Sequence, residues 1–398
     1  MTILTSDNII SSLGFSSDEN YRNVKQGVCG LQFFKDRYDL PEPFMASEIE
    51  EARLADAFAK VSVEYTGKTE NSNERIHAKK RLKYTKLEKA CIVSIAGALK
   101  ATAIDTTGHD VLFVFATTKG NVFLLDKNEK KGFKRDQLYL WRSAEIVSGF
   151  FGCTHAPYTV SNACISGASA LIAAQRALHS RRYKHVIVTG VDVLSKFVIT
   201  GFQSFKALSQ EVCKPFDANR TGLNIGEAVS TIILSERRTF ECNDGDIEFT
   251  IGAMRNDANH ISGPSRTGDG AYLALRHILA RIDPEDIAFV CAHGTATPYN
   301  DEMESIALTR AGLKDVPVYS LKGYFGHTLG AAGVLESVIS TRALKEGTVL
   351  KTYGCDTPGV TYPLDIVMEN RETTKHRCVK MLSGFGGCNT ALLFTKLV

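Results

Sequence analysis

The stretch SNACISGASALIAAQRAL, residues 161–178, predicts a helix with almost no face suited to water. Small residues come first, and Leu171, Ile172 and Ala174 then recur at helical spacing. A helix that is apolar on most faces is covered on most faces, which places it inside the protein. Cys164 stands just before this helix, where backbone N–H groups and the helix dipole favour a thiolate. A lone cysteine in this setting is more commonly a buried core residue, so its role depends on partners.

Short apolar runs along the rest of the chain predict buried strands, and helical patterns separate them. The predicted strands cover residues 111–118, 185–192, 229–236, 247–254, 287–294, 316–322 and 390–397. The predicted helices cover residues 165–179, 269–281, 300–313 and 331–345. This alternation indicates an α/β fold with mainly parallel or mixed sheets. Because the pattern restarts after the polar stretch CNDGD, we expect a duplication with halves 1–245 and 246–398.

Composition excludes several classes of protein. Of 398 residues, 44% are hydrophobic and 23% are charged, which is typical of a folded chain rather than a disordered one. The net charge of +3 is too small for a dedicated nucleic-acid binder. The sequence has no apolar run long enough to cross a membrane and no secretion signal at its start. Its ten cysteines include no C-x-x-C pair, so we expect reduced thiols, a cytoplasmic protein and no metal site.

Two histidines are candidate partners for Cys164. His293 lies in VCAHGTATPYND, and His327 lies in the glycine-rich SLKGYFGHTLGAAGVLE. We expect each at the C-terminal end of a strand, where α/β sheets bind their ligands. Either histidine alone is more commonly structural. One cysteine with two histidines suits acyl transfer, because the thiolate attacks and the imidazoles donate hydrogen bonds to a developing oxyanion.

Four motifs in this order resemble the signature of the β-ketoacyl-acyl carrier protein synthases. They are NACISG (162–167), HGTATPYNDEMES (293–305), SLKGYFGHTLGAAGVLE (320–336) and GFGGCN (384–389). The resemblance is to the Cys-His-His branch that includes the elongating enzymes, and it covers roughly residues 90–398. It implies an α/β, thiolase-like fold of two related halves in five layers, α-β-α-β-α.

The resemblance assigns catalytic roles to four residues. Cys164 would carry the acyl chain as a thioester. His293 and His327 would flank the malonyl thioester, assist loss of carbon dioxide and stabilise the enolate through Nε2. Lys322 would anchor the loop before the second histidine, with Glu336 as its partner. Backbone N–H groups, among them that of Cys164, would form the oxyanion hole.

Further site residues follow from the same motifs. Asp301 and Glu304, which share one helix face, would hold the histidine loops or a cation, and Asp301 is equally compatible with a helix cap. The pantetheine arm, the acyl pocket and a mobile gate at Phe385 would account for six residues: Thr295, Thr297, Phe202, Phe385, Gly386 and Ser262. Thr221 and Leu223 depart from the family, which has Asp and Phe there, and they leave the choice of substrate open.

The implied partner is an acidic acyl carrier protein, which basic residues would steer by charge. The docking candidates are Lys79, Lys80, Arg81, Lys83, Lys130, Lys131 and Lys206. A solvated basic helix face is the alternative for these lysines and arginines. No cofactor would be bound permanently, because phosphopantetheine arrives on the carrier. We expect a homodimer, and a heterodimer with a related subunit stays open; we expect no nucleic acid or membrane partner.

The implied activity is a decarboxylative Claisen condensation in fatty acid, polyketide or polyene biosynthesis. The main alternative is a non-catalytic, chain-length-factor-like subunit of a heterodimeric ketosynthase; such subunits usually lack the cysteine. A thiolase or a Cys-His-Asn initiating synthase would lack SLKGYFGH. A cysteine hydrolase would need a carboxylate or Asn that orients a histidine, and no residue in the sequence is marked for that role.

Overall fold

The computed structural model describes residues 1–67, 82–126, 129–239, 243–280 and 282–398. The strands in these residues are β1 (Thr2–Ser11), β2 (Gln32–Phe34), β3 (Phe44–Ser47), β4 (Val111–Ala116), β5 (Tyr158–Val160), β6 (His185–Asp192), β7 (Ile225–Gly226), β8 (Ala228–Glu236), β9 (Ile247–Asn256), β10 (Ile287–Cys291), β11 (Val318–Tyr319), β12 (Thr348–Val349), β13 (Arg371–Glu372), β14 (Arg377–Gly384) and β15 (Cys388–Lys396). The helices are α1 (Ser17–Lys25), α2 (Glu51–Gly67), α3 (Lys86–Leu99), α4 (Leu140–Phe150), α5 (Ser166–His179), α6 (Lys196–Ser204), α7 (Asp269–Ile278), α8 (Pro298–Arg310), α9 (Lys322–Phe325) and α10 (Ala332–Glu346).

Ten strands pair in the order β5-β4-β6-β8-β1-β9-β15-β14-β10-β11. The first five and the last five strands repeat one pattern. When the strands of each set are numbered along the chain and read from the outer edge of the sheet toward its middle, both sets have the order three, two, four, five, one. The directions also repeat, because β5, β4 and β6 are parallel as are β11, β10 and β14, and the other neighbours are antiparallel. This repeat supports a division of the chain near residue 245, which stays a proposal.

Helices cover both faces of both strand sets. α5 and α10 pack against each other and against strands of both sets, so they form the central layer. α3 packs on the outer face of the first set, and α7 packs on the outer face of the second. The order of layers is therefore helix, sheet, helix, sheet, helix. The predicted α/β, thiolase-like fold is confirmed.

Strand side chains explain why the predicted runs are apolar throughout. In β4, Leu112 and Val114 point into the central core, whereas Val111, Phe113 and Phe115 point at α3 and α4. Because successive side chains of a strand alternate between faces, a strand covered on both faces is apolar at every position. α3 begins with a capping box, in which Thr85 and the side chain of Glu88 satisfy each other's backbone N–H groups.

Several observed elements were not predicted or differ in length, and three strands show the reason. The run 316–322 forms only a two-residue strand, because the chain turns into the short helix α9 at Lys322. β14 was not predicted, since Lys380 interrupts its apolar pattern. β1 is not among the predicted strands, because polar residues occupy its middle. Among the residues that the structure describes, no helix is long and apolar enough to cross a membrane.

Candidate active site

A cavity of about 520 Å³ is lined by Cys164, His293 and His327 together. The cysteine comes from the loop that leads into α5, in the first strand set. His293 follows β10 and His327 follows α9, both in the second half of the chain. The fold thus brings together three residues that are far apart in sequence, as the motifs predicted.

Cys164 is 7% exposed and lies two residues before the first residue of α5. Burial raises the pKa of its thiol, and the positive charges of Lys119 and Lys322 offset only part of this effect. The predicted bias toward a thiolate is therefore outweighed by burial, and the resting side chain is a thiol. Ala163, just before it, has φ 44°, a conformation that costs energy for a residue with a Cβ.

Glu304 of α8 holds the backbone at His293. Its carboxylate accepts the N–H groups of His293 (2.7 Å) and Gly294 (2.6 Å), and Asn300 donates to it at 2.8 Å. A carboxylate held by several donors keeps its orientation, so the ring of His293 starts from a fixed backbone. Nδ1 of His293 is buried and has no hydrogen-bond partner within the described part of the chain.

The backbone of His327 is fixed on both sides. Its N–H donates to the carbonyl of Asn224 at 2.6 Å, and the N–H of Leu329 donates to its Nδ1 at 3.3 Å. A ring nitrogen that accepts a hydrogen bond carries no proton, so the hydrogen of the neutral ring is on Nε2. Nε2 has no hydrogen-bond partner among the described residues. His327 lies in the turn after α9, and not directly at a strand end as predicted.

The two imidazoles lie edge to face, with ring centroids 5.0 Å apart and planes at 81°. Burial lowers the pKa of each ring well below its ordinary value, and the charge of Lys322 adds to this effect in both. Both histidines are therefore neutral near pH 7. Two neutral rings in one cavity with a thiol form a set of hydrogen-bond donors for an oxyanion.

Lys322 and Glu336 form an ion pair that is almost completely buried. Lys380 of β14 meets the other oxygen of the same carboxylate, so Glu336 lies between two ammonium groups. The sequence predicted the first pair through the family motif. Lys380 was missed, although a lysine inside the apolar run CVKML is a signal of a buried charge with a partner.

Asp301 is a buried residue of α8, the helix that also carries Glu304. Its carboxylate accepts the N–H of Phe216 at 2.8 Å and a hydrogen bond from Asn300 at 3.2 Å. Burial raises the pKa of Asp301 to about 7. Thr297 occupies the N-cap position of α8, so the structure does not place Asp301 as the cap of its own helix. Within the described residues, no cluster of three or more His, Cys, Asp or Glu could hold a metal ion.

Asp192, at the end of β6, was not anticipated. Its buried carboxylate accepts hydrogen bonds from Thr117 (2.9 Å), from the N–H and hydroxyl of Thr118, and from the N–H of Gly330 (2.7 Å). One side chain thus connects the loop of residues 117–120 (TTKG) to the turn that follows His327. Lys119, in the same loop, was also missed.

Five of the six predicted substrate-binding residues line the cavity: Thr295, Thr297, Phe202, Phe385 and Ser262. Gly386 is the next residue along the loop after Phe385, and its N–H donates to the carbonyl of Ile261 at 2.7 Å. Phe385 stacks on Phe202 with centroids 5.9 Å apart, and Phe205, which sequence reasoning missed, meets it edge-on at 5.4 Å. Three aromatic rings therefore stand together at one wall of the cavity.

The two departures from the family motif also lie on the cavity wall. Thr221 and Leu223 both line it, and the hydroxyl of Thr221 bonds that of Ser209 at 2.9 Å. Leu223 belongs to the apolar cluster that contains Phe202. The substitutions therefore change the surface that a bound substrate meets.

The docking candidates are not all brought together in the chain. Lys206 lines the active-site cavity, whereas Lys83 and Lys131 line a second cavity and Lys130 is exposed on the surface. Lys79, Lys80 and Arg81 lie outside the described residues. The four candidates that the structure describes therefore do not share one surface with the active-site cavity.

Strained backbone recurs at all three loops of the site. Ala163 precedes the cysteine, Ala296 (φ 64°) follows the first histidine and Leu329 (φ 51°) follows the second. Side chains with a Cβ adopt such φ values at a cost of about 1–3 kcal/mol each. Since sequence patterns do not reveal such positions in advance, only the structure shows this clustering.

Family models match most of the chain. The model described as "Beta-ketoacyl synthase, N-terminal domain" matches residues 5–239, and "Beta-ketoacyl synthase, C-terminal domain" matches residues 249–356. The first match alone covers more than half of the chain.

Relatives and solved structures agree with these matches. A putative mitochondrial 3-oxoacyl-(acyl-carrier-protein) synthase of Schizosaccharomyces pombe is 27% identical over 435 residues, covering 100% of this chain and 99% of that protein. A putative polyketide beta-ketoacyl synthase 1 of Streptomyces halstedii is 30% identical over 317 residues, 75% of each chain. A beta-ketoacyl synthase from Burkholderia phymatum has the same fold, with a TM-score of 0.84 at 23% identity, covering 100% of this chain and 99% of that one. This chain belongs to the β-ketoacyl synthase family.

Proposed function

We propose that the protein is a β-ketoacyl-acyl carrier protein synthase that condenses an acyl group on Cys164 with a malonyl group on the carrier. One observation carries this proposal: a buried thiol and two neutral, buried imidazoles line one cavity. A decarboxylative condensation needs a nucleophile for the acyl group and donors for an enolate, and these residues supply both.

In the first step, the sulfur of Cys164 attacks the carbonyl carbon of an acyl thioester. The thiol gives up its proton, the carrier sulfur leaves as a thiol, and a new thioester bond joins the acyl chain to the enzyme. The N–H groups of Cys164 and Phe385 are the proposed oxyanion donors. A Cβ at Gly384 would lie 3.1 Å from the nitrogen of Cys164, which is tighter than an ordinary van der Waals contact, so a glycine favours the close approach of the two segments.

In the second step, the bond between the malonyl carboxylate and its methylene carbon breaks, and carbon dioxide leaves. The electron pair passes into an enolate, whose oxygen accepts hydrogen bonds from Nε2–H of His293 and His327. The enolate carbon then attacks the acyl carbonyl, a carbon–carbon bond forms, and the sulfur of Cys164 departs. Neutral rings suit this task, because they donate without a permanent charge that would hold the malonyl carboxylate in place.

The carrier protein would deliver both substrates on its phosphopantetheine arm. The hydroxyls of Thr295 and Thr297 bond each other at 2.9 Å in the cavity wall and are available to the amides of the arm. Ser262 lies on the opposite loop of the same cavity. Lys206 at this cavity is the docking candidate with the most direct support, and the other six stay predictions.

A dimer is part of the proposal. β5 is the last strand at its end of the sheet, and Tyr158 in β5 is 58% exposed. At the other end, β11 is covered by the segment around Ile366. An apolar sheet edge of this kind is protected by pairing with another chain. We expect a homodimer; a related subunit is the alternative partner, as in the ketosynthase from Xenorhabdus doucetiae solved in complex with its chain length factor (TM-score 0.83, 22% identity, 99% of this chain and 98% of that one).

The non-catalytic alternative is a chain-length-factor-like subunit. The presence of Cys164 with both histidines in one cavity favours the catalytic role. The fatty acid and polyketide pathways both stay open, since the relatives above carry names from each.

Mass spectrometry of the intact protein tests the function. The protein is mixed with a panel of acyl carrier thioesters and then with malonyl carrier protein. We expect a mass gain on Cys164 that disappears when malonyl carrier is added, as a β-keto product two carbons longer is formed. The Cys164→Ala variant, folded as judged by circular dichroism, is expected to show neither event. If that variant condensed at the wild-type rate, or if the wild type were acylated by no member of the panel in the presence of its partner, the proposal would be wrong.

A further inference from the structure

Lys380 is a charged residue in the middle of a buried strand. It lies in β14 between Val379 and Met381, and its side chain is fully buried. Removing an ammonium group from water costs several kcal/mol, so a lysine in such a place needs close compensation. Burial opposes the charged form, but the attractions of Cys291 and Glu336 outweigh it and raise the pKa of Lys380 above its ordinary value. Lys380 is therefore charged at every pH at which the enzyme would work.

The contacts of Lys380 converge on the backbone that carries the first histidine. Nζ donates to the carbonyl of Ala292 at 2.9 Å and to that of Cys291 at 3.2 Å. These are the two residues before His293, and Cys291 is the last residue of β10. β14 and β10 run parallel, with Cys291 opposite Lys380 in the register. The ammonium group of Lys380, which belongs to the neighbouring strand β14, thus holds the backbone at the C-terminal end of β10 in place.

The same ammonium is coupled to the second histidine. Glu336 of α10 forms an ion pair with Lys380 at one oxygen and accepts a hydrogen bond from Lys322 at the other. Lys322 opens α9, and its carbonyl accepts the N–H of Gly326, the residue before His327. One carboxylate between two ammonium groups leaves a net positive charge behind the two rings. A continuous set of polar contacts therefore runs from the backbone before His293 to the backbone before His327.

We propose that Lys380 is a positioning residue for the histidine pair, acting through the carbonyls of Cys291 and Ala292 and through the shared carboxylate of Glu336. The inference rests on the proposed function of the two histidines. No motif of the sequence assigned a role to this lysine. The shared carboxylate sets the distance between the two loops, and the excess positive charge disfavours a proton on either ring.

The electrostatic surroundings agree with this role. Burial lowers the pKa of His293 most, and Lys322, His327 and Lys380 lower it further. Burial also dominates the lowered pKa of His327, with Lys322, Lys119 and Lys380 contributing. The charged or titratable groups around Lys380 in the three elements that pack on it are Cys291, His293, Glu304, Lys322, His327 and Glu336. Glu304 keeps its negative charge at the backbone N–H of His293, but the side-chain charges that shift the pKa of both rings are those of the lysines, and they lower it in each.

A proton on His327 would break its backbone contact, which gives the test a clear readout. Nδ1 of His327 accepts the N–H of Leu329, and a protonated Nδ1 cannot accept. Loss of the Lys380 charge raises the pKa of both rings, so protonation begins at a higher pH. The acid limb of the decarboxylation rate is then expected to move to higher pH.

The experiment compares Lys380→Met and Lys380→Gln with wild type. Methionine fills the space without charge or donor, and glutamine keeps an N–H donor for Ala292 without the charge. Cys378→Ala, on the same face of β14, is the matched control for a disturbed strand. For each purified protein, the decarboxylation of malonyl carrier protein is measured from pH 5 to 8.5, and two-bond ¹H–¹⁵N spectra of labelled histidine are recorded over the same range.

We expect the acid limb of Lys380→Met to rise by about one pH unit, a tenfold change in the protonation equilibrium, with Cys378→Ala unchanged. The histidine spectra of the variant should show Nδ1 protonation at a pH where the wild type shows none. If Lys380→Gln alone keeps the wild-type profile, the hydrogen bonds carry the positioning, which supports the proposal. Wild-type profiles and spectra in both lysine variants would overturn it, whatever their melting temperatures.

Two further outcomes are separated by design. Lys380→Met can destabilise the strand. In that case the pH profile and the histidine spectra of Lys380→Gln, which keeps a hydrogen-bond donor, are compared with those of wild type. If wild type itself does not decarboxylate malonyl carrier protein, the proposed function fails. The histidine spectra still decide whether Lys380 sets the protonation of the pair, because they need no turnover.

Discussion

The ring of His327 offers a substrate one hydrogen bond, and the backbone decides which nitrogen donates it. Leu329 occupies Nδ1, so Nε2–H is the donor in the neutral ring. Burial keeps that ring neutral by lowering its pKa. The backbone N–H of Leu329 therefore decides that Nε2 is the nitrogen that donates. Replacing the His327 side chain removes this donor and leaves the backbone of the turn in place.

Substitution His327→Ala separates the two half-reactions. The variant is expected to retain some acylation of Cys164, since the thiol and its helix are untouched, and to lose malonyl decarboxylation by about a hundredfold or more, as expected for removal of an oxyanion donor. Stopped reactions with acyl carrier and malonyl carrier, analysed separately by mass spectrometry, measure the two steps. Lost acylation with intact decarboxylation would reassign the roles.

Asp301 makes stability depend on pH in a specific window. Its pKa is raised to about 7 by burial, so the folded protein holds a proton there that the unfolded chain releases above its ordinary pKa. The stability it contributes is complete below about pH 4 and is lost as the pH rises toward 7. Asp301→Asn, which mimics the protonated form, is therefore expected to gain stability relative to wild type between pH 5 and 7.

Urea unfolding of wild type and Asp301→Asn at pH 5, 6, 7 and 8 measures this effect. The difference in unfolding free energy should grow with pH and level off above about pH 7. Asp315→Asn, at an exposed surface position, is the control for loss of a carboxylate. A difference that stays constant from pH 5 to 7 would contradict the raised pKa.

At this scale, the sequence predicted the residues of the motifs, including supports within them such as Lys322 and Glu336, and missed the supports that lie outside the motifs. Cys164, His293 and His327 were found because each lies in a motif with a characteristic order. Asp192 and Lys380 were missed because the partners of each lie far away in the sequence. A local sequence pattern predicts the role of a residue within its own motif, whereas the structure is needed to show which distant carbonyl or carboxylate the residue contacts.

Among the elements, the two central helices approach each other through their backbones. A Cβ at Gly333 of α10 would lie 2.3 Å from the backbone nitrogen of Ala168 in α5. A Cβ at Gly167 of α5 would lie 2.8 Å from the carbonyl of Gly330. The helices therefore touch through their backbones at the ends that carry Cys164 and the turn after His327. Small residues at this crossing set the distance between nucleophile and donor.

Gly333→Ala is expected to destabilise the fold by about 1–3 kcal/mol, because the backbone atoms in its way cannot move like a flexible side chain. The variant should also lose condensation beyond what its stability explains, since the helices separate at the site. Gly149→Ala, in α4 with open space around its Cβ position, is the matched control and should be neutral or stabilising by up to about 1 kcal/mol. Thermal unfolding and the condensation rate measure both effects. If Gly333→Ala were as stable as Gly149→Ala, α10 would move away from α5 without a measurable loss of stability, and the prediction would be wrong.

The elements that the sequence predicted are those with a uniform environment. β4 and β6 are covered on both faces and read as continuous apolar runs. β14 was missed because its one inward charge, Lys380, breaks the pattern, and β11 is shorter than its apolar run because α9 starts at Lys322. A pattern of hydrophobicity records average burial, so it fails where a strand carries a paired charge or gives way to a turn.

At the scale of the whole molecule, the site is shared between the repeated strand sets. The cysteine comes from the set that contains β4 and β6, and both histidines come from the set that contains β10. Neither set alone contains Cys164 together with both imidazoles. The catalytic group therefore exists only when the central layer has formed, and folding and activity should be lost together on denaturation.

The free edge at β5 predicts the oligomeric state. Tyr158→Asp places a charge on an exposed aromatic position of this edge, and we expect it to convert a dimer into monomers at micromolar concentration. Tyr362→Asp changes an exposed tyrosine in the other half of the chain and should leave the dimer intact. Sedimentation velocity measures the mass of each. A dimer that is unaffected by Tyr158→Asp would place the interface elsewhere.

The pairing of β1 constrains the order in which the protein can assemble on the ribosome. Residues Thr2–Ser11 pair with β8 along most of their length, and Ile3 and Leu4 also pair with β9. The ribosome releases β1 before both of its partners, which begin more than two hundred residues later. Contacts so distant in sequence form late. A nascent chain therefore carries β1 unpaired until β8 and β9 have been made, and a chaperone that shields the apolar ends of this strand would act during that interval.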